Sequence, residues 1–403
     1  MCDVLSTVQS AAFSRRGILA GGAAAAAAIA APYGSRAEAA QTVATVRDFG
    51  PDPLGQHGTK LVLLGTAGGP PYWPGADRDG IASAVVVGDR YYLVDVGHGV
   101  VRQIRTAGLG PNDDMDLDGP LDALAGIFLT HLHSDHTADL PIILTEGLYN
   151  GLQHVDRIPI WGPGNRGALP PVFGDRETPT PVGGDNPTPG TRDMVDLLVR
   201  AYATDLNDRM FDNAKPHPDQ LWEAKDVPVP SQYLTDPNGN PCPEMEPFTF
   251  FEDDRVRVSA ILVNHAPVFP ALAYRFDTDD GSIVFSGDTG RNPNVVKLAR
   301  DADVLVHEVI DKAWVSSLFP EPRTTEQESM YNHLINAHTL TEDVGEIAER
   351  ANVATLVLSH IVPGHAPDKR FKEAGNGFSG RLIIGHDQDV IGIGAMTGPR
   401  GRS

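Results

Sequence analysis

Six positions, His131-x-His133-x-Asp135-His136, limit what this 403-residue chain can become more than any others. Three imidazoles and a carboxylate follow the apolar run Ile127-Phe128-Leu129, so a buried strand delivers them together. Imidazole and carboxylate are borderline ligands that suit Zn²⁺. In an extended strand end His131 and His133 share one side, and Asp135 and His136 lie just beyond, where a helix can begin. The bland reading is a histidine-rich polar loop. The later chain argues against it by supplying further ligands.

Two zinc ions need roughly seven or eight protein contacts if a water-derived ligand completes each site. The chain offers His131, His133, Asp135, His136, His265, Asp288 and His360. Asp288 can serve both ions, because a carboxylate bridges cations about 3.5–4 Å apart. A water held between them would be a hydroxide near neutral pH.

The rest of the chain reads as short strands closed by glycine. Lys60 to Gly65 is a buried-type strand, and Ala84–Val87 and Tyr91–Val94 flank the hairpin signal Gly88-Asp89. A short helix is expected around Val101 to Ala107, and Ala125 to Leu129 is the strand that delivers the histidines. In the second half, Arg255–Val263 leads to His265, Ser282–Phe285 to Asp288, Asp303–Val306 to His307-Glu308, and Thr355–Leu358 to His360. Thr339 and Glu342 have capping-box spacing ahead of a helix whose inner face is Val344, Ile347, Ala348 and Ala351. Such a series favours stacked sheets over one long parallel sheet.

Residues 162–190 and 212–248 are rich in Pro, Gly, Asn and Asp and read as loops. Between them Met194, Leu197, Leu198, Ala201 and Tyr202 keep helical spacing. The expectation is an insertion, about 162–248, made of a helix and loops that cover the site. The domain itself is expected over 59–395, with an extended lead-in at 40–58 and a tail at 396–403.

The first 39 residues read as an export signal of the twin-arginine type. Ser14-Arg15-Arg16-Gly17-Ile18-Leu19 precedes an alanine-rich run and the small-residue site Ala37-Glu38-Ala39. That run is too short and weakly apolar to span a membrane, so no stable anchor is expected after cleavage, and the destination is the periplasm or the exterior. The net charge is −21; without residues 1–39 it becomes −22, from 29 basic and 51 acidic side chains. Such a surface repels nucleic acid at long range. Cys2 would leave with the signal and Cys242 would remain alone, so no intramolecular disulfide is expected.

Further strings narrow the reading: Ser286-Gly287-Asp288-Thr289, Val306-His307-Glu308, Asn264-His265 followed by Ala273-Tyr274-Arg275, and Ala337-His338-Thr339 followed by Leu358-Ser359-His360. Together with the histidine string they make the chain resemble the metallo-β-lactamase superfamily, and within it the branch of ribonuclease Z, zinc arylsulfatases and other phosphodiesterases. The resemblance covers about residues 59–395. It implies an α/β fold, the αββα sandwich of two mixed β-sheets flanked by helices. It assigns His131, His133 and His265 to one zinc and Asp135, His136 and His360 to the other, with Asp288 shared. It implies that Asp135 also orients or deprotonates the nucleophile, and that His338, held by Glu308, protonates the leaving group. The residue chemistry agrees, since a carboxylate partner raises a histidine pKa and fixes its ring. A homodimer is implied by the resemblance alone.

The expected activity is hydrolysis of small sulfate or phosphate esters by an exported enzyme with two zinc ions, the nucleophile being the metal-bridging hydroxide. No nucleic-acid partner is expected: the resemblance places the tRNA-gripping arm of the ribonuclease Z branch between His265 and Asp288, which here stand 23 positions apart, room for a hairpin and no arm. The loop Gly68-Gly69-Pro70-Pro71-Tyr72-Trp73-Pro74 is apolar and aromatic and suits a small aryl or alkyl group. Hydrolysis of a carboxylic ester, lactone or lactam is a second reading, and ribonuclease Z-like tRNA processing is a remote third. A catalytically silent metal-binding protein is the non-enzyme alternative; iron or manganese could replace zinc. His98 and His365 are pocket candidates with equally ordinary readings, and His307 is expected in the core. His57, His154, His217, His333 and His386 show no constellation.

Overall fold

Every residue of β1 (Thr59–Gly65) is buried because the strand has no solvent face. Leu61 and Leu63 enter one apolar cluster, Val62 and Leu64 another. The same split runs through β2 (Ala82–Val87), with Val85 and Val87 on one side and Ala84 and Val86 on the other. A sheet covered on both faces reads as a continuous apolar run, which is the pattern of these segments. In this computed structural model the described residues are 58–110, 119–173 and 176–394. The export signal, the lead-in up to residue 57, and the tail all lie outside them.

The first sheet also contains β3 (Arg90–Val94), β4 (Leu124–Phe128), β5 (Ile158–Gly162), β6 (Trp222–Asp226) and β14 (Val390–Ile393), in the order β14-β1-β2-β3-β4-β5-β6. The second holds β7 (Phe248–Glu252), β8 (Arg257–Leu262), β9 (Leu272–Thr278), β10 (Gly281–Phe285), β11 (Val304–Ile310), β12 (Thr355–Val362) and β13 (Arg381–Ile384). Its order is β13-β12-β11-β10-β9-β8-β7. Each sheet is mixed: β3 to β6 and β10 to β13 run parallel, and the remaining pairs are antiparallel.

Among the described residues, five helices, α1 (Val100–Thr106), α2 (Ser134–Thr137), α3 (Leu140–Glu146), α4 (Thr191–Ala201) and α5 (Ala203–Asn213), precede those of the second half. Ile104, Ile143, Val195 and Leu206 from α1, α3, α4 and α5 cover the outer face of the first sheet. In the second half, α6 (Pro293–Leu298) and α9 (Thr341–Ala351) bury Val295, Leu298, Val344 and Ile347 in the cluster of the second sheet. A smaller cluster joins α7 (Lys312–Leu318) and α8 (Thr325–Ala337) to Trp73. The layers run helix, sheet, sheet, helix, as the αββα expectation has it.

Four details differ from the sequence reading. Residues 222–226 form the edge strand β6 on β5, where loop was expected; its charged Glu223, Lys225 and Asp226 mask the strand signal while shielding an exposed edge. Strands β11 and β12 run past their expected ends, because their pairing resumes at Val309 after an irregularity beyond His307. Thr339 does not cap α9: its hydroxyl donates to the Thr289 carbonyl, and Leu340 occupies the cap position. The insertion holds two helices, and its expected apolar face is only partly covered, with Leu197 and Tyr202 exposed.

Candidate metal centre

The delivery of the histidine string begins with Phe128, the last residue of β4. Its ring packs between the sheets against Phe251, Tyr274 and Phe276, at centroid distances of 5.4, 6.1 and 5.1 Å. The next carbonyl, Leu129, accepts a hydrogen bond from the Tyr274 hydroxyl at 2.7 Å, tying the strand end to the opposite sheet. His133 then opens α2, so Asp135 and His136 fall on its first turn.

Asp95, at the end of the neighbouring β3, fixes the string from below. Its carboxylate accepts from the Thr130 amide, the Thr130 hydroxyl and His136 Nδ1, each at 2.8 Å. That bond leaves His136 Nε2 facing the site. A carboxylate behind a ligand histidine sets its tautomer and orientation. Asp95 holds the left-handed conformation, φ 58°, a strained backbone that persists where surrounding contacts over-determine it. Sequence reasoning passed over Asp95; its one signal was an acidic residue closing an apolar strand.

Asp288 arrives from β10 through Gly287, whose φ is 58° and whose added Cβ would stand 2.6 Å from the Leu272 carbonyl oxygen. Only glycine permits that turn. His265 follows β8 and donates its Nδ1–H to the Ala337 carbonyl at 2.9 Å. His360 sits within β12 at φ 47°. A Cβ on Gly68 would meet its ring at 2.5 Å, so the glycine-rich loop after β1 can close over it.

These elements bring all seven expected ligands together. One ligand atom from each of His131, His133 and His265 lies within 4.8 Å of the others, and Asp135, His136 and His360 form a second such group. Asp288 stands between them: Oδ1 is 3.4 Å from His136 Nε2, and Oδ2 is 3.2, 3.8 and 3.9 Å from Nε2 of His360, His265 and His131. Buried polar atoms are almost always hydrogen-bonded, yet His131 Nε2, His136 Nε2 and Asp288 Oδ1 are buried without a well-formed hydrogen bond, the last two facing each other at 3.4 Å. Converging unpaired donors of this type fit a divalent cation.

Electrostatics points the same way. Burial pushes the pKa of His131, His133 and His265 below the usual histidine range, so they present neutral lone pairs. His136 is buried too, but Asp288, Asp95 and Asp135 overcome that and raise it. Burial would raise the pKa of Asp135 and Asp288, but the surrounding imidazoles win and keep both ionised. The cradle is built for positive charge.

His338 is in neither of these two triads, though it also lies within 4.8 Å of ligand atoms of His265 and Asp288, and of Glu308 and His360. Its Nδ1 is 3.0 Å from Glu308 Oε1, which also accepts from the Thr289 amide at 2.7 Å. Burial lowers its pKa, but the Glu308 carboxylate raises it more, to about 9. A proton held there is available to a leaving group. His307 is fully buried, and its Nδ1 donates to the Glu308 carbonyl at 2.8 Å.

Two walls flank the cradle. The loop after β1 carries Tyr72, highly exposed and 4.6 Å between centroids from His98, and Trp73, packed on Trp314 and His365. On the His133 side, Pro163, Arg166 and Pro187 of the insertion and Pro267 of the β8–β9 connection bound a cavity of about 400 Å³. Between His265 and Asp288 the chain forms only the β9–β10 hairpin.

The sequence model of the Metallo-beta-lactamase superfamily matches residues 77–360, a span that contains all seven ligand positions with His338 and Glu308. A protein named ribonuclease Z from Mycobacterium bovis (strain BCG / Pasteur 1173P2) is 28% identical over 335 residues, covering 81% of this chain and 96% of that one. Another of that name, from Mycobacterium sp. (strain KMS), is 30% identical over 349 residues, covering 85% and 99%. The structure of human tRNase Z, short form, superposes with a TM-score of 0.51 at 19% identity, over 83% of this chain and 99% of that one, a likeness of fold. The chain belongs to the metallo-beta-lactamase superfamily, with ribonuclease Z proteins among its relatives.

Proposed function

We propose that this chain is a phosphodiesterase that holds two zinc ions and shares the reaction chemistry of its ribonuclease Z relatives. One observation carries the reading. The buried His338–Glu308 pair, 3.0 Å apart, adjoins the triads His131/His133/His265 and Asp135/His136/His360, neither of which includes it. Bound ions would supply Lewis acidity toward the phosphoryl oxygens and a nucleophile deprotonated near neutral pH.

The protein's own residues do the rest. His131, His133 and His265 would hold one ion, Asp135, His136 and His360 the other, and Asp288 would touch both. The ionised Asp135 orients the nucleophile. His338 carries a proton at neutral pH and gives it to the departing oxygen, and Glu308 holds the ring for that transfer. Tyr72 and Trp73 bound the side where an aromatic group would lie.

The relatives' name moves the preferred bond from sulfate ester to phosphodiester. It also stands against the expectation of no nucleic-acid partner, and the 3′ end of a precursor tRNA is the second reading. The net charge of −21 and the short hairpin favour a small diester. Zinc-loaded protein assayed side by side on bis(4-nitrophenyl) phosphate, 4-nitrophenyl sulfate, a lactone and a precursor tRNA at physiological salt separates these. Turnover of a diester is the expected result. Turnover of the sulfate or lactone with neither diester nor RNA cleaved would overturn the proposal.

Export by the twin-arginine route belongs to the same proposal and rests on Arg15-Arg16 and the alanine run that follows. Cell fractionation of the R15K/R16K variant tests it. Retention in the cytoplasm is expected, and unchanged export would refute it.

A further inference from the structure

We propose that Arg166 and the proline-lined cavity beside His133 form a subsite for a second phosphate of the substrate, one nucleoside away from the phosphodiester that is cut. The inference rests on the phosphodiesterase reading and names the substrate class: a nucleotide chain or end that carries an additional phosphate.

The cavity, about 400 Å³, includes His133 in its wall and so opens beside the metal centre. Six prolines line it, among them Pro163, Pro187 and Pro267, and none of the described lining residues is a carboxylate. In a chain of net charge −21 that is a local exception. Arg166 is the one arginine or lysine among the described lining residues.

Among the described residues its guanidinium is held by neutral acceptors alone. It donates to the carbonyls of Ala168, Pro237 and Pro267, the latter two at 3.3 Å, and to Asn238 Oδ1 at 2.6 Å. Its Nε is buried without a partner. These bonds aim the group and leave its charge unneutralised. Beyond the buried Nε, one N–H of Nη1 stays outside these bonds, and a planar guanidinium with a donor left over matches a phosphate.

The test compares thymidine 3′-(4-nitrophenyl phosphate) with and without a 5′-phosphate, using the zinc-loaded full chain. In the wild type the 5′-phosphate should raise kcat/KM by about tenfold or more, the value of a charge-assisted hydrogen bond, mainly through KM. R166Q should bring the ratio of the two substrates near one, and R166K should keep part of it. The ratio is independent of how much of each variant is folded. Calorimetric titration with thymidine 3′,5′-bisphosphate and thymidine 3′-monophosphate gives the same comparison without turnover. An equal 5′-phosphate advantage in wild type and R166Q, or equal affinities for the two nucleotides in the wild type, would overturn the subsite. If neither ester is cleaved, the phosphodiesterase reading fails, and the two affinities still decide whether Arg166 binds phosphate.

Discussion

The metal cradle and the wall facing its His133 side are built on opposite plans. In the cradle and beside it, side chains stand at or near strand ends, and three of them are locked by a neighbour: His136 by Asp95, His265 by the Ala337 carbonyl, His338 by Glu308. The wall is loop and proline, and the insertion behind it leaves Leu169, Val182, Leu197, Tyr202 and Phe211 exposed. Chemistry needs ligands held within fractions of an ångström, which strands packed on both faces provide. Substrate choice tolerates variation, and loops on a fixed scaffold supply it.

That contrast makes the cradle fragile and the insertion forgiving. The largest effect is expected from Asp288→Ala, which removes the carboxylate facing four imidazoles. Diester turnover should fall by more than the ~10–100-fold typical of an outer-shell partner, and bound zinc measured by atomic emission should drop with it. Full metal content and full activity would show that the two groups work without a shared ligand.

His338→Ala should keep its zinc and lose about 10²–10⁴-fold in kcat. The loss should be steeper for an alkyl leaving group than for 4-nitrophenolate, which departs without help. A loss independent of leaving group would assign His338 a structural part instead.

Phe128→Ala tests whether the inter-sheet core holds the histidine string in place. A cost of about 3–5 kcal/mol in unfolding free energy is expected, read by denaturant titration. Asp95→Asn keeps the size and removes the charge behind His136. Zinc affinity should weaken about 10–100-fold, with the core intact by thermal melting. At the small end, Phe211→Ser on the exposed face of α5 should change stability by no more than about 0.5 kcal/mol. A large loss there would mean that the insertion face is covered by something in solution.

Much of the cradle could be read from the chain because each ligand closes an apolar run and is a residue type with few other uses there. Asp95 could not, since its role depends on β3 and β4 lying side by side in parallel, and nothing near Asp95 in sequence names His136. Strand β6 was hidden for a related reason: Trp222–Asp226 is short and charged, and only its place beside β5 makes it a strand. The capping box at Thr339 had the right spacing, but Thr289 offered its hydroxyl a buried carbonyl.

The sequence alone determined the kind of chemistry, because ligand type, strand ends and the histidine string are local properties that survive without knowledge of the fold. Tertiary structure decided which residues share a group, where the His338–Glu308 pair sits and what the insertion encloses. His133 and His265 are 132 positions apart and Asp135 and His360 are 225 apart. Such separations close only when two sheets pair and pack in one register, and that choice is made by the whole core rather than by any segment of it.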